Sequence, residues 1–251
     1  MTALIISTCV LYSLWLLPKS TIKIPQLMGF LAWISQAIIC YHSLFDANGW
    51  KLTLVNAVLL VSWLSVMIVF WYKLTSLWVK LPLVFFVLLS LIIIYFNLLS
   101  EPIDYKRFSW QLDLHISLSM LAYSILVVAT LFALSLYSHI KMIKNKPFSV
   151  GSGLVPIVEE EKKLFQLVFL GWLVLTTSLL SGVIFIENFM QQHLGHKVVF
   201  SLLAWLVFGS IILARLTRGL RGEKLIVTTI FGMLFLALGY LGSKIVIEFI
   251  L

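Results

Sequence analysis

The chain has 251 residues, 61% hydrophobic and 11% charged, with a formal net charge of +8 and a mean hydropathy of +1.08. A soluble fold of this size has no way to hide so much apolar surface. Apolar stretches recur at near bilayer length, so the composition predicts an all-α, polytopic membrane protein with the lipid bilayer as its first partner. The basic residues sit mostly in short loops between those stretches, which assigns them to membrane orientation and argues against a nucleic-acid partner.

Eight transmembrane helices are predicted, at 2–17, 26–45, 52–71, 82–99, 114–140, 164–186, 198–213 and 225–250, forming one domain over 1–251. The first has no positive residue before its apolar run and no A-x-A site, so it reads as a span, not as a removable signal peptide. Cys9 and Cys40 fall in the first two spans with no C-x-x-C spacing, which predicts buried inert thiols and no covalent haem attachment. Asn56, Ser62 and Trp63 in the third span read as helix-packing residues. Pro18, Pro25, Pro82 and Pro102 fall at span ends. The longest connection, 141–163, carries Pro147, Gly151, Gly153 and the charged run Glu159 to Lys163, and reads as a solvated loop leading into a helix start. No internal repeat stands out. Lys244 and Glu248, four residues apart in the last span, read as an intrahelical pair.

Orientation follows from the basic residues. The first, third, fifth and seventh loops hold thirteen Lys and Arg, against four (Lys51, Lys106, Arg107 and Lys197) in the second, fourth and sixth. The positive-inside rule puts the odd loops in the cytoplasm and both termini outside. Arg215, Arg218 and Arg221 form a basic cytoplasmic cluster of the kind that meets anionic headgroups. Trp50 and Trp110 lie at the outer interface, where an aromatic belt is expected.

This orientation gathers four of the five histidines on the outer face. His42 closes the second span, His115 opens the fifth, and His193 and His196 lie in the sixth loop. His139, beside Lys141, belongs to the cytoplasmic rim. A histidine at a span end is most often an interfacial residue with its ring tip in water, and His193 fits that description. His42 and His115 stand out because both lie inside apolar segments. His115, Ser119, Ala122 and Tyr123 share one helical face, a polar notch open to a flat aromatic ligand. Neutral imidazole is a good axial ligand for haem iron, and its second nitrogen needs a hydrogen-bond partner.

The stretch Leu114-His115-Ile116-Ser117-Leu118-Ser119-Met120-Leu121-Ala122-Tyr123-Ser124 resembles the periplasmic histidine helix of the cytochrome c assembly superfamily of haem-handling membrane proteins. The stretch 201–208, followed by Ala214-Arg215-Leu216-Thr217-Arg218-Gly219-Leu220-Arg221-Gly222, is similar to the helix and arginine-glycine end that follow the family's tryptophan-rich segment. Tyr41-His42, Asn56 and Ser62-Trp63 also resemble its second and third spans. Nearly the whole chain takes part, and it is most similar to the YpjD branch of inner-membrane proteins. Three features depart from the pattern. Residues 187–197 contain no tryptophan and no aspartate, Leu213 stands where the family has a histidine, and no counterpart of the last periplasmic histidine occurs before Leu251.

The resemblance implies a multi-pass protein of a bacterial inner membrane. It would bind or present non-covalent haem b at the periplasmic face, alongside other membrane proteins of cytochrome maturation. It makes His115 an axial ligand of the haem iron; Ser119 and Tyr123 share its helical face, and His42 and His196 are the candidates for a second ligand on the same side of the membrane. A haem-free membrane scaffold or accessory subunit is the alternative, and a transporter comes third, since broken helices with polar residues at mid-bilayer depth are not evident. No nucleophile–base pair and no H-E-x-x-H motif occurs, so no enzymatic activity is expected.

Overall fold

The computed structural model describes residues 1–17, 24–46, 49–50, 53–74, 76–99, 109–144, 154–185 and 195–249, without the side chains of 24, 46, 49–50, 54, 154–156, 195–196 and 240–249. Among these residues the chain forms eight helices: α1 (Thr2–Trp15), α2 (Ile24–Leu44), α3 (Leu54–Trp71), α4 (Leu77–Leu99), α5 (Trp110–Lys144), α6 (Leu154–Phe185), α7 (Gly195–Arg218) and α8 (Glu223–Phe249). Two two-residue strands, β1 (Phe45–Asp46) and β2 (Gly49–Trp50), pair antiparallel between α2 and α3. The predicted all-α character therefore holds. Five helical segments are long and apolar enough to cross a membrane: Pro25–Leu44, Leu77–Leu99, Trp110–Lys144, Ile157–Phe185 and Lys197–Arg218. Thr2–Trp15 and Val55–Trp71 are shorter apolar helices. At 1.5 Å per residue α1 is about 21 Å long and α5 about 52 Å, against a hydrocarbon core of about 30 Å.

The structure changes several boundaries. The charged run Glu159 to Lys163 is helical, because α6 begins at Leu154; Glu and Lys are good helix formers, and an apolar window does not register them. Helix α7 runs five residues past its expected end, to Arg218. Pro82 lies inside α4 and not at its start. The ladder already opens at Ser76, whose carbonyl accepts from the Val79 and Lys80 N–H groups, and the helix continues through a proline near that end.

The chain divides into two compact units, Met1–Ser109 and Trp110–Leu251. In the first, α1 packs on α2 and α4, and α3 on α2 and α4. Its core holds Tyr12, Trp15, Ile39, Leu59, Leu83, Leu91 and Ile94. A chain of buried polar groups crosses all four helices. The Tyr12 hydroxyl donates to Gln36 Oε1 at 2.5 Å, Gln36 Nε2 donates to Ser62 Oγ at 2.9 Å, and Ser62 Oγ meets Ser90 Oγ at 3.0 Å. Asn56 Nδ2 donates to the Ser43 carbonyl at 2.8 Å. Asn56 and Ser62 thus serve packing, as expected.

In the second unit α5 packs on α6 and α8, and α7 on α6 and α8. The core holds Leu126, Leu136, Leu164, Leu167 and Phe208. At one end of this bundle, Glu161 is buried and its Oε1 accepts the Gly222 N–H at 2.8 Å. Arg215 donates to the Leu220 carbonyl at 2.9 Å and lies 5.1 Å over the Phe165 ring. Gly219, at φ +63°, closes α7 with its N–H on the Arg215 carbonyl, a left-handed C-cap that glycine takes without strain. Arg215 is therefore a packing residue of this corner, whereas Arg218 and Arg221 stay exposed.

Candidate functional site

The opposite end of the second unit holds a cavity of about 250 Å³ between α5, α6 and α7. Its polar wall is His115, Ser119 and Tyr123 from α5, Ser178 from α6, and Lys197 and Ser201 from α7; Leu175, Leu179, Val183, Val198 and Leu202 supply the apolar wall. Val183 and Leu202 are exposed, so the rim opens on an apolar flank. The helical spacing that groups His115, Ser119 and Tyr123 is realised, while Ala122 is fully buried away from the lining.

His115 is held by α6. Its Nδ1 lies 2.9 Å from the Ser178 carbonyl and 3.0 Å from Ser181 Oγ. A carbonyl oxygen only accepts, so Nδ1 carries the proton. The Ser181 hydroxyl donates to the same carbonyl at 2.7 Å, which leaves its oxygen free to share the Nδ1–H. Nε2 is then the lone-pair nitrogen, without a hydrogen bond among the described residues. A backbone carbonyl on one nitrogen is the arrangement that fixes tautomer and ring orientation when the other binds a metal. Ser119 Oγ donates to the His115 carbonyl at 2.8 Å and accepts from Ser178 Oγ at 2.7 Å. The α5–α6 contact is thus polar around the histidine. Gly182 closes it: a Cβ there would lie 2.9 Å from His115 Cε1, so only glycine lets the ring occupy this place.

The other expected site residues fare differently. His42 is in the first unit, exposed in the last turn of α2, with its ring edge-on to Tyr41. His196 falls in the first turn of α7, its side chain outside the described residues, and His193 lies outside them altogether. The Trp50 side chain and the Lys244–Glu248 pair also lie outside them. His139 bonds Glu160 at 3.0 Å near the Glu161 end. Both cysteines are free: Cys40 is buried and Cys9 partly exposed. No group of three or more His, Cys, Asp or Glu side chains gathers among the described residues; among them His115 is the imidazole that lines this cavity.

Sequence reasoning missed Ser178, Ser181, Gly182 and Lys197. The first three recur at i, i+3 and i+4 on one face of the span, the small-residue signal of close helix approach. Lys197 gave no such signal beside His196.

Apolar helices of spanning length and a polar notch between them define a multi-pass helical membrane protein. The Cytochrome C assembly protein family profile matches residues 21–251, and the chain belongs to that family. Inner membrane protein YpjD of Escherichia coli (strain K12) is 29% identical over 224 residues, 85% of this chain and 84% of that protein. Cytochrome c biogenesis protein CcsA of Synechococcus sp. (strain CC9605) is 23% identical over 163 residues, 55% of this chain and 53% of the relative. The protein of that name from Chlamydomonas reinhardtii is 27% identical over 142 residues, covering 55% and 38%. No solved structure is a significant match.

Proposed function

We propose that the protein binds haem b non-covalently in the α5–α6–α7 cavity and presents it, without changing it chemically, at the periplasmic face of a bacterial inner membrane. All eight helices span in this reading, both termini lie outside, and the recipients are other membrane proteins of cytochrome maturation. The observation that carries it is the Nδ1–H bond from His115 to the Ser178 carbonyl, which leaves Nε2 as the lone-pair nitrogen of a histidine that lines a cavity with apolar walls. The donor chemistry fits haem iron: one neutral imidazole with its tautomer fixed. The volume is just under the roughly 300–1,000 Å³ of small-molecule pockets, and the rim is open, so part of a macrocycle would lie against the apolar flank. When bound, haem supplies the redox chemistry. His115 would hold the iron, Gly182 keeps the ring in place, and the leucines and valines exclude water.

A visible spectrum of detergent-purified protein tests this. A Soret band that shifts on reduction is expected. Folded protein that shows no such band after haem-replete expression would favour the haem-free scaffold, a reading with support from exposed Leu213 in the family's histidine position and from residues 187–197, which lack tryptophan.

A further inference from the structure

Lys197 is the cation of the cavity wall. It stands at the start of α7, one turn before Ser201, which also lines the cavity. Its side chain is half-buried, and no carboxylate pairs with it among the described residues, where the ion pairs are His139–Glu160 and Lys144–Glu223. The other polar groups of the lining are neutral: one imidazole with a single proton, three serines and a tyrosine. Among the described residues the cavity wall therefore carries one positive charge, at the edge of an apolar surface. An ammonium withdrawn from water against leucine and valine is costly unless an anion meets it. A ligand with a flat apolar face and a carboxylate at its edge satisfies both walls together.

We propose that Lys197 is the anion-recognising residue of this cavity, pairing with an acid group, a propionate carboxylate, on the ligand that His115 holds. This rests on the haem reading and adds orientation to it. One coordinate bond at His115 leaves a macrocycle free to rotate about the iron–nitrogen axis. A charge-assisted bond at Lys197 fixes that rotation and the edge that enters first.

The test titrates purified apoprotein with iron protoporphyrin IX and with its dimethyl ester, following the Soret band. The wild type should bind the free acid about 10- to 100-fold more tightly, the range for a hydrogen bond between charged groups. In Lys197→Met the ratio should fall to that set by partition into the micelle alone, through weaker binding of the free acid, with the ester's affinity unchanged. Lys197→Gln serves as a second neutral variant if the methionine protein folds poorly, and Lys197→Arg should keep the wild-type ratio. A ratio that is the same in wild type and in the neutral variants would overturn the assignment, making Lys197 an interfacial cation that snorkels to the headgroups. Failure of the wild type to bind either porphyrin would instead overturn the haem reading, and the anion assignment with it.

Discussion

His115 makes two kinds of contact that substitution separates. The ring bonds the Ser178 carbonyl through Nδ1, and its backbone carbonyl takes the Ser119 hydroxyl. His115→Ala removes the first and keeps the second, so the α5–α6 packing should survive while haem occupancy falls further than in any other histidine variant. Adding free imidazole should partly restore the spectrum. His42→Ala should have a smaller effect, since that ring is exposed in the last turn of α2 and not held by a helix–helix contact as His115 is. His139→Ala should have none, because its partner is Glu160 at the far end of the bundle. Equal losses in His115→Ala and His139→Ala would indicate general destabilisation and no site. Gly182→Val approaches the same ring from outside: its Cβ would fall 2.9 Å from Cε1. The imidazole must then move off the Ser178 carbonyl, and occupancy should drop with His115 still present. A Gly182→Val protein with wild-type occupancy and spectrum would show that ring position is not what the glycine protects.

At the scale of elements, the polar chain Tyr12–Gln36–Ser62–Ser90 ties α1 to α4 through side chains that are almost wholly buried. Gln36→Leu removes the acceptor of the Tyr12 hydroxyl and the donor to Ser62 at once. Inter-helix hydrogen bonds in membrane proteins average about 0.6 kcal/mol and reach about 1.7 kcal/mol. Reversible unfolding in mixed micelles should therefore show a loss of about 1–3 kcal/mol for the two bonds, and an unchanged midpoint would mean that the chain contributes no net stability. Such ties were only partly legible in the sequence. Hydropathy found every helix and separated them correctly, because an apolar segment of that length has few alternatives to a helix. It missed the first turns of α6 and the last of α7, since helix propensity continues where apolar character stops: Glu159 to Lys163 and Arg215 to Arg218 are helical and polar. The α5 side of the cavity was legible because His115, Ser119 and Tyr123 follow one helical period. Ser178, Gly182 and Lys197 come from other helices, and only packing brings them to the same place.

At the scale of the molecule, each four-helix unit stacks a tryptophan pair between its second and third helices, with the indole hydrogen bond running in opposite directions in the two. In the first, the Trp33 and Trp63 rings stack at 5.3 Å across α2 and α3, with Trp63 Nε1 donating to the Trp33 carbonyl at 3.1 Å. In the second, Trp172 and Trp205 stack at 5.7 Å across α6 and α7, with Trp172 Nε1 donating to the Trp205 carbonyl at 3.1 Å. Within the second unit the two ends differ in charge. Lys141, Lys144, Arg215, Arg218, Arg221 and Lys224 gather at the end where Glu161 accepts the Gly222 N–H and Lys144 pairs with Glu223. His115, near the start of α5, and Lys197, near the start of α7, mark the other end. In the proposed reading the positive-inside rule puts this basic end in the cytoplasm and the cavity on the periplasmic side. A cysteine at Ser149, between α5 and α6, tests this in a background with Cys9 and Cys40 replaced. A membrane-impermeant maleimide should label it only after the membrane is opened, and should label a cysteine at Ser109, just before α5, in intact cells. Labelling of the Ser149 site from outside would invert the unit, place His115 and Lys197 on the cytoplasmic side, and end the case for haem presentation to periplasmic cytochromes even if the purified protein binds haem.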